Sequence, residues 1–462
     1  MVGMISRQSS RACGRGSYKV PDGKLVNADV RLISIGPATW SVASVRFDGD
    51  FFEDLFVTPA TAITGMRVRE DEPVEDITSS AAERIQRHRV REHDGSAVRC
   101  SLRDADARAS ALAAARAIVT ALERAGARSG TKGKQGNERT NPTDAANQAD
   151  GAIETYVLKR GVPYTQIVKE SVVRDRWRAL GPVWLVPPRV AMPLSPSRQM
   201  ACDEALAELM ASGHLRRPVL RFWRWRSPAV VLGAFQSVSH EVDVLGARRR
   251  GVCVVRRTTG GGAMLSRPRE TITWSMVTPG TFVEGLTAEQ AYALCDSWVF
   301  DGLQRLGIEA VHEPVNDIAS QWGKIGGSAA KRLPCGRMRR GAQELCGGVL
   351  LHHSMLSYDA DARVLDGVLH VNGEKFVDKA VRSSGKRVTS IRSVVLRSAV
   401  FQGDDVSRIP LKTEVENSML EAVRQRAVVG MMPARQWSVV ESVARRLDRE
   451  QFGTRQWTWR IA

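Results

Sequence analysis

The chain of 462 residues is 43% hydrophobic and 25% charged, values typical of a globular protein with two or three domains. No apolar run approaches the roughly 18 residues of a membrane span, which excludes a transmembrane helix. The net charge of +17 comes from 55 arginines and 12 lysines spread among acidic residues, and this spread favours a solvated arginine-rich surface over a nucleic-acid-binding patch.

Cysteine usage gives no sign of a disulfide framework or of a zinc site. The number of cysteines is odd, and none forms a Cys-x-x-Cys pair. Scattered reduced thiols are typical of a cytoplasmic protein, and we expect that location for this chain. The cysteines are Cys13, Cys100, Cys202, Cys253, Cys295, Cys335 and Cys346.

The N-terminal part predicts a small α+β domain at residues 18–125. Before it, residues 1–17 are small, basic and free of acids, and they predict a disordered start. Alternating apolar residues at Val26–Leu32 and Trp40–Phe47 predict two strands of a small sheet. Apolar residues at helical spacing predict a helix over Leu112–Leu122.

A flexible linker is predicted at residues 126–165, because its first part is rich in Gly, Asn, Gln, Thr and Lys. The larger domain is predicted at residues 180–400, where Ser195 is placed to cap a helix over Arg198–Met210. Strands and helices then mix without a steady βαβ rhythm. This pattern predicts an α+β fold, a mixed β-sheet with packed helices. Residues 401–462 predict a basic helical extension.

Three consecutive glycines form the most distinctive motif of the chain. The stretch Val254–Met264 is Val-Val-Arg-Arg-Thr-Thr-Gly-Gly-Gly-Ala-Met, and Ile272 follows in another apolar segment. The pattern predicts a strand, a tight turn at Gly260–Gly262 and a second strand. Glycines let backbone N–H groups approach a ligand, and Arg256 and Arg257 add charge, so the turn suits an anionic group such as a phosphate. The alternative is an ordinary hairpin turn with exposed arginines.

A second motif contains a lysine in a chain that otherwise prefers arginine. Asn316-Asp317-Ile318 is followed by Gly323-Lys324-Ile325, and no lysine lies between Lys169 and Lys324. A compact ammonium beside glycines can stabilise charge on a carboxylate or phosphate oxygen. Asp317 is a candidate magnesium ligand, because Mg²⁺ binds one or two carboxylates together with phosphate oxygens. Taken singly, each feature is also typical of a surface turn.

Together the motifs resemble the lipoate–protein ligase family, in the superfamily shared with biotin ligases and octanoyltransferases. The resemblance covers about residues 180–400. The N-terminal domain resembles the accessory domain of the same family through Tyr18–Leu25 and Gly49–Phe52. The stretches that carry the main resemblance are Arg256–Ala263, Asn316–Ile318, Gly323–Ala329 and Leu351–His353.

The resemblance implies ATP-dependent attachment of lipoate to a lysine of an acceptor lipoyl domain. Lipoate is first activated as lipoyl-adenylate with loss of pyrophosphate, and the acceptor lysine then attacks the carbonyl. Lys324 would hold the carboxylate and later the bridging adenylate oxygens, Asp317 would bind Mg²⁺, and His353 would have a positional role. The other residues implied in binding lipoate or adenylate are Arg256, Arg257, Gly260, Gly261, Gly262, Ala263, Asn316, Ser328 and Ala329.

The implied partners are the lipoyl domains of 2-oxo-acid dehydrogenase acyltransferase subunits or the H protein of glycine cleavage, with no nucleic acid and no membrane. Two other functions stay open. An octanoyltransferase would use a cysteine or lysine nucleophile, and Cys335 and Cys346 lie near the motif without a partnered base in view. A non-catalytic lipoyl-domain binder would not need Lys324 and Asp317. The accessory domain favours the ligase, since a transferase has no adenylate step to assist.

Two departures from the family pattern concern the residues after each motif. Many relatives continue after the glycines with a His-Asp or Gln-Asp pair and then Gly-Asn, where this chain has Ser266-Arg267 and Arg269-Glu270. After the histidines, relatives often have Gly-Thr, where Ser354-Met355 stand here. Residues 333–344, rich in arginine and glycine, predict an inserted loop between two strands.

Overall fold

The chain forms two compact units, residues 1–49 with 54–155 and residues 50–53 with 156–462. Among the described residues, no helix is long and apolar enough to cross a membrane. The computed structural model describes residues 11–19, 25–49, 57–92, 104–125, 161–187, 193–333, 348–359, 367–370, 388–402 and 409–461.

The first unit is a four-stranded antiparallel sheet with helices packed on it. The strands follow chain order, so each pairs with the next, as short connections favour. The two predicted strands and the predicted helix are confirmed as β2, β3 and α3. The elements are β1 (Arg11–Lys19), β2 (Leu25–Gly36), β3 (Thr39–Gly49), α1 (Val57–Ile63), β4 (Arg67–Arg69), α2 (Val74–Glu92) and α3 (Asp104–Arg124).

The predicted disordered start is wrong for residues 11–17, which lie in β1 and pair with β2. Gly14 and Gly16 of this strand lie against α3. A Cβ at Gly14 would stand 2.0 Å from the carbonyl oxygen of Ala117, and one at Gly16 would stand 2.3 Å from its nitrogen. The glycines that suggest a flexible chain are therefore required by a close contact between strand and helix. Residues 1–10 lie outside the described residues.

We expect Gly16→Ala to destabilise the first unit by about 1–3 kcal/mol, because the added methyl overpacks the contact with α3. Gly36→Ala is the matched control, because Gly36 lies in the same sheet and a Cβ at this position would meet nothing within 4 Å. Thermal unfolding, combined with hydrogen exchange of α3 amides, measures the difference. Equal stability of the two variants would contradict the close contact.

The second unit contains an eight-stranded sheet in the order β11-β12-β13-β14-β10-β6-β5-β15 and a three-stranded sheet in the order β8-β7-β9. The large sheet is antiparallel except where β5 pairs in parallel with β6 and β15. This confirms the predicted mixed sheet with packed helices. The strands are β5 (Val183–Leu185), β6 (Val219–Trp223), β7 (Ala229–Leu232), β8 (Cys253–Arg256), β9 (Met264–Ser266), β10 (Thr271–Pro279), β11 (Val311–Glu313), β12 (Asp317–Ser320), β13 (Gly323–Leu333), β14 (Val349–Ser357) and β15 (Val429–Met431). The helices are α4 (Tyr164–Ile167), α5 (Glu170–Leu180), α6 (Pro196–Ala211), α7 (Val238–Glu241), α8 (Val244–Arg249), α9 (Ala288–Gln304), α10 (Ile391–Gln402), α11 (Lys412–Arg424), α12 (Ala434–Leu447) and α13 (Arg455–Thr458).

Helices cover both faces of the large sheet, and each face has its own core. On one face, which we call the α6 face, α6 packs with Leu351 of β14. On the opposite α9 face, α9 packs with Leu350 of the same strand. Successive residues of a strand point to opposite faces, so His352 lies on the α9 face and His353 on the α6 face.

Two predicted boundaries change in the second unit. The linker predicted at residues 126–165 ends earlier, because Val162 pairs with His312 and Tyr164 is buried in the core. Residues 401–462 do not form a separate extension. Within them β15 pairs with β5 of the main sheet, and α12 packs on α6 through apolar side chains.

Candidate active site

The glycine loop, residues 257–263, leads from β8 to β9 without forming a hairpin. The strand predicted before the loop is β8, and the strand predicted at Ile272 is β10. The short strand β9 comes between them in the chain, and β8 and β9 each pair with β7, not with each other. Gly261 has a φ of 89°, which confirms the expected positive φ at this one of the three glycines. A Cβ at Gly233 would stand 2.0 Å from the carbonyl oxygen of Gly261. A second loop, after β7, therefore packs directly against the glycine loop.

Arg257 shapes the glycine loop from inside and does not face solvent. Its guanidinium donates to the carbonyl oxygens of Gly260 at 2.6 Å, Gly262 at 2.9 Å and Val231 at 3.0 Å. Its Nε also donates to Oγ1 of Thr259 at 2.9 Å. The carbonyl oxygens of its own loop thus occupy these donors, and binding of an anion by Arg257 stays a prediction.

Arg256 lies deeper still and is 0% exposed. Its guanidinium donates to carbonyl oxygens of two segments, the loop after β7 and the C-terminal end of the chain. Arginine has five N–H donors, and these acceptors occupy them, so the guanidinium is bound to the backbone of the protein itself. The place of Arg256 at the lipoyl and phosphate end stays a prediction. The acceptors are Gly233, Ala234, Gln236, Thr458 and Ile461.

Lys324 and Asp317 meet on the α6 face of the sheet. Asp317 pairs with Gly327, which pairs with Met355, a residue on the same face as His353. Nζ of Lys324 donates to Oδ1 of Asp317 at 2.8 Å. A Cβ at Gly327 would stand 3.1 Å from that Nζ, so the bare glycine leaves room for the ion pair. The Asp317 side chain is 5% exposed and that of Lys324 is 30% exposed, which leaves the ammonium accessible to a ligand.

The glycine loop lies over the same face as Lys324. Nε2 of His353 is 2.7 Å from Oγ1 of Thr259, and this contact fixes the loop above β14. His353 pairs with Ala329, which lies two residues along β13 from the glycine under the ion pair, a step of about 7 Å. The structure thus brings together the glycine loop, Ala329, His353, Lys324 and Asp317 on one face.

Asn316 and Ser328 instead tie β12 to β13. The Asn316 amide donates to the carbonyl oxygen of Ser328, and the N–H of Ser328 donates to the carbonyl oxygen of Asn316 at 2.9 Å. The Ser328 hydroxyl points to the α9 face, where it donates to Oδ2 of Asp296 at 2.5 Å. The hydroxyl thus lies on the face opposite Lys324, because neighbouring residues of a strand alternate between faces, and the role of Ser328 in the adenylate pocket stays a prediction.

A buried hydrogen-bond chain of Asp203, His353 and Thr259, the Asp203 relay, connects α6 to the glycine loop. Asp203 accepts from Nδ1 of His353 at 3.0 Å, from Arg221 at 2.5 Å and from Oγ of Ser275 at 2.7 Å. Sequence analysis missed Asp203. The only local signal was an acid within the otherwise apolar helix stretch Met-Ala-Cys-Asp-Glu-Ala-Leu.

The arginines fix the direction of hydrogen bonding in the relay. Arginine only donates, so Asp203 accepts from Arg221 as a carboxylate, and Thr259 accepts from Arg257. His353 therefore carries its proton on Nδ1, and its Nε2 accepts from the Thr259 hydroxyl. Burial lowers the pKa of His353, which fits a neutral ring. Thr259 is 0% exposed, so this row of hydroxyl, imidazole and carboxylate positions the loop and offers no accessible nucleophile.

We expect folding stability to fall below about pH 6.5, in part through His353. Because burial lowers the pKa of His353 in the folded protein, its stabilisation is complete above the ordinary histidine pKa of 6.5 and is lost as the pH falls through the folded pKa. His353→Gln should make the free energy of unfolding less dependent on pH in this window. His312, whose pKa burial also lowers, remains in both proteins as an internal reference. Urea unfolding between about pH 5 and 8 measures this, and an unchanged slope in the variant would contradict it.

A second carboxylate of α6 also holds the glycine loop. Glu204 accepts from Oγ1 of Thr258 at 2.6 Å and from Nζ of Lys331 at 2.8 Å. Sequence analysis assigned no role to Glu204 or Lys331. Helix α6 thus holds two consecutive loop residues, Thr258 through Glu204 and Thr259 through the Asp203 relay.

Two cysteines in the described part of the chain are buried, and neither thiol is activated. Burial raises the pKa of the Cys202 and Cys295 thiols, so neither is a thiolate near neutral pH. Cys253 is exposed on β8. The two cysteines considered as nucleophiles, Cys335 and Cys346, lie outside the described residues.

The site fits Mg²⁺ only when a nucleotide binds together with the ion. Among the residues that the structure describes, no group of three or more His, Cys, Asp and Glu side chains could hold a metal ion. Asp317 supplies one carboxylate beside Lys324. Because Mg²⁺ binds one or two carboxylates with phosphate oxygens, this donor set fits Mg²⁺ bound together with ATP.

Comparisons with known proteins identify a family for the second unit. The family model described as lipoyl protein ligase A/B catalytic domain matches residues 195–402. The chain is 27% identical to lipoate-protein ligase A subunit 1 of Thermoplasma acidophilum over 262 residues, which are 56% of this chain and 90% of that protein. It is 30% identical to octanoyltransferase LipM of Carboxydothermus hydrogenoformans over 283 residues, 58% of this chain and 96% of that protein. The solved bipartite lipoate protein ligase from T. acidophilum, studied with its E2 lipoyl domain, overlaps with a TM-score of 0.45 at 24% identity and covers 61% of this chain and 96% of that one.

The family match and the relative that is 30% identical place the second unit in the class of lipoate ligases and octanoyltransferases. The chain belongs to the lipoyl protein ligase A/B family. Its relatives include ligases and octanoyltransferases, so membership by itself does not distinguish adenylation from acyl transfer.

Proposed function

We propose that this protein attaches lipoate to a lysine of acceptor lipoyl domains, using ATP and a lipoyl-adenylate intermediate. The observation that supports this most is the pair of Lys324 and Asp317, whose ammonium is accessible on the same face as the glycine loop. A cation beside a glycine-rich loop suits the meeting of a carboxylate and an α-phosphate, which adenylation requires.

In the proposed reaction, the lipoate carboxylate attacks the α-phosphorus of ATP and displaces pyrophosphate. Lys324 donates hydrogen bonds to the carboxylate and then to the oxygen that bridges carbonyl and phosphate, so it stabilises charge that grows in the transition state. The backbone of Gly260–Gly262 lies close to the acyl group and the phosphates of the proposed substrates. Mg²⁺ held by Asp317 and phosphate oxygens would neutralise the leaving pyrophosphate. The acceptor lysine then attacks the carbonyl, and AMP leaves.

The acceptor under this proposal is a lipoyl domain of a 2-oxo-acid dehydrogenase acyltransferase subunit or the glycine cleavage H protein, in the cytoplasm. Support comes from the similarity to lipoate-protein ligase A subunit 1. Intact mass of an acceptor lipoyl domain after incubation with lipoate, ATP and Mg²⁺ tests the proposal. We expect the acceptor to gain the mass of a lipoyl group only when ATP is present. If the acceptor gains no mass at any lipoate concentration, the proposal is refuted.

The second candidate function is octanoyl transfer between carrier domains without ATP, which the similarity to octanoyltransferase LipM favours. It needs a nucleophile that becomes acylated. An octanoylated carrier domain offered without ATP, followed by mass analysis of this protein, tests for it. We expect Cys335→Ser combined with Cys346→Ser to leave ligation within a few-fold. Loss of activity together with an acyl-cysteine trapped in the unmodified protein would favour the transferase.

We further propose that the first unit supports activation more than transfer, as the resemblance to an accessory domain implies. A chain starting at residue 156 keeps Val162 and Tyr164, which the second unit needs. It should still transfer lipoyl from preformed lipoyl-adenylate, whereas its use of free lipoate and ATP should fall about tenfold or more, because the tethered unit acts at high effective concentration. Residues 1–155 added as a separate chain should restore part of it. Equal activation of free lipoate by the truncated and full chains would contradict this role.

A further inference from the structure

The end of the chain reaches the back of the glycine loop. We call Arg455–Ile461 the C-terminal tail. It opens with α13, which Thr454 caps by accepting a hydrogen bond from the N–H of Trp457. The family match ends at residue 402, so the tail lies beyond the matched part of the chain.

The tail encloses Arg256, the arginine at the end of β8. The carbonyl oxygen of Thr458 accepts from Nε of Arg256 at 3.0 Å and from its Nη2 at 2.9 Å. The carbonyl oxygen of Ile461 accepts from the same Nη2 at 3.2 Å and from the N–H of Val238 at 3.0 Å. Nε1 of Trp457 donates to the carbonyl oxygen of Arg256 at 2.9 Å. Both the side chain and the backbone of this arginine are thus held by the tail.

Ala234, in the loop after β7, links the tail to the glycine loop. Its carbonyl oxygen accepts from Arg460 of the tail at 2.7 Å, and its N–H donates to the carbonyl oxygen of Thr259 at 2.8 Å. The neighbouring Gly233 packs against the carbonyl of Gly261 so closely that no side chain fits between them. A short and continuous path of hydrogen bonds and packing therefore joins the chain end to the backbone of the glycine loop.

We propose that the C-terminal tail is a positioning element of the active site, which fixes the glycine loop through Arg256 and Ala234. Without the tail, Nε and Nη2 of Arg256 lose the carbonyl oxygens of Thr458 and Ile461, and the guanidinium, which is 0% exposed in the full chain, loses part of its cover. A buried donor without an acceptor is unfavourable, so the guanidinium would shift towards water or towards other carbonyls. The loop after β7 would then lose its fixed position, and the glycine loop with it. The proposal rests on the proposed function only for the ligand, since the order of the loop does not depend on which acyl group binds.

Two arginines of the tail provide a matched pair of variants in the full chain. Arg460 lies over the ring of Trp457 at 4.3 Å, and Arg455 lies over the ring of Trp459 at 5.4 Å. Arg460 donates to the loop after β7, and no such bond is seen for Arg455 in the described part of the chain. Arg460→Ala should therefore release the loop, and Arg455→Ala should not. A chain ending at Thr454 is the stronger variant, because it removes every acceptor that the tail offers to Arg256.

Hydrogen exchange of peptides that cover residues 233–236 and 257–263 tests the proposal, with β10 as a reference for global stability. In Arg460→Ala and in the shortened chain, we expect exchange in both loops to rise about tenfold or more, the effect of losing one hydrogen bond to a charged group, while β10 stays protected. KM for lipoate and ATP should rise in step. Unchanged loop exchange in both variants, or an equal rise in β10, would overturn the proposal. If loop exchange is faster in the variants but the unmodified full chain never forms lipoyl-adenylate, the role of the tail is upheld and the proposed function is refuted.

Discussion

Replacing Lys324 with alanine is expected to lower the rate of lipoyl-adenylate formation by about 10²–10³-fold, the range seen when one preorganised donor to a developing charge is removed. The ammonium of Lys324 lies 2.8 Å from Oδ1 of Asp317 and the lysine side chain is 30% exposed, so the group is held in place on a side chain that solvent reaches. Its loss leaves the carboxylate and the α-phosphate without a cation between them. Pyrophosphate release in the presence of lipoate and ATP measures the step.

Two further variants separate the position of this charge from its presence. Lys324→Arg should restore little activity, because a planar guanidinium does not replace a compact ammonium over Gly327. Lys169→Ala removes a lysine from the exposed start of α5 and should behave like the unmodified protein. Circular dichroism shows whether each variant is folded. Normal pyrophosphate release by folded Lys324→Ala would remove Lys324 from the chemistry.

The face that carries the candidate site could be predicted because its signals are local. Lys324 stands beside glycines seven residues after Asp317, and a turn between two strands brings such neighbours together without help from the rest of the chain. The same holds for the positive φ of Gly261, which only glycine adopts easily.

The orientation of the arginines could not be predicted, because it depends on residues far along the chain. Arg256 and Arg257 beside glycines indicate an anion site, and nothing nearby shows whether a guanidinium faces a ligand or a carbonyl. The guanidinium of Arg256 donates to the carbonyl oxygen of Thr458, which lies 202 residues later in the chain. The carbonyls of the loop itself decide it for Arg257.

Small residues in the first unit misled sequence analysis for a related reason. Gly14 and Gly16 suggest a flexible start, whereas they are small because α3 lies directly against them. A glycine has the same appearance in a disordered segment and in a close contact, and only the partner distinguishes the two. Here the partner is Ala117, about one hundred residues later in the chain.

Asp203→Ala is expected to destabilise the second unit by about 3–5 kcal/mol, because it leaves a buried charge without its partner. Arg221 and Asp203 are both 2% exposed, and the carboxylate also accepts from Ser275 and His353. Removal of the acid leaves the guanidinium of Arg221 in a place where water cannot replace the lost acceptor. Urea unfolding of the full chain, followed by circular dichroism, measures the change.

A matched control and a double variant show whether burial is the cause. Asp175→Ala breaks the pair with Arg178, whose side chains are 66% and 75% exposed, and should cost less than about 1 kcal/mol because water screens both charges. Asp203→Leu combined with Arg221→Met should recover much of the loss, since an apolar pair leaves no unpaired charge. If Asp203→Ala costs no more than Asp175→Ala, the buried pair does not hold the second unit together. If the double variant is as unstable as Asp203→Ala, the lost free energy of unfolding comes from the contacts of Asp203 with Ser275 and His353. The glycine loop then depends on the Asp203 relay more than on the charge of Arg221.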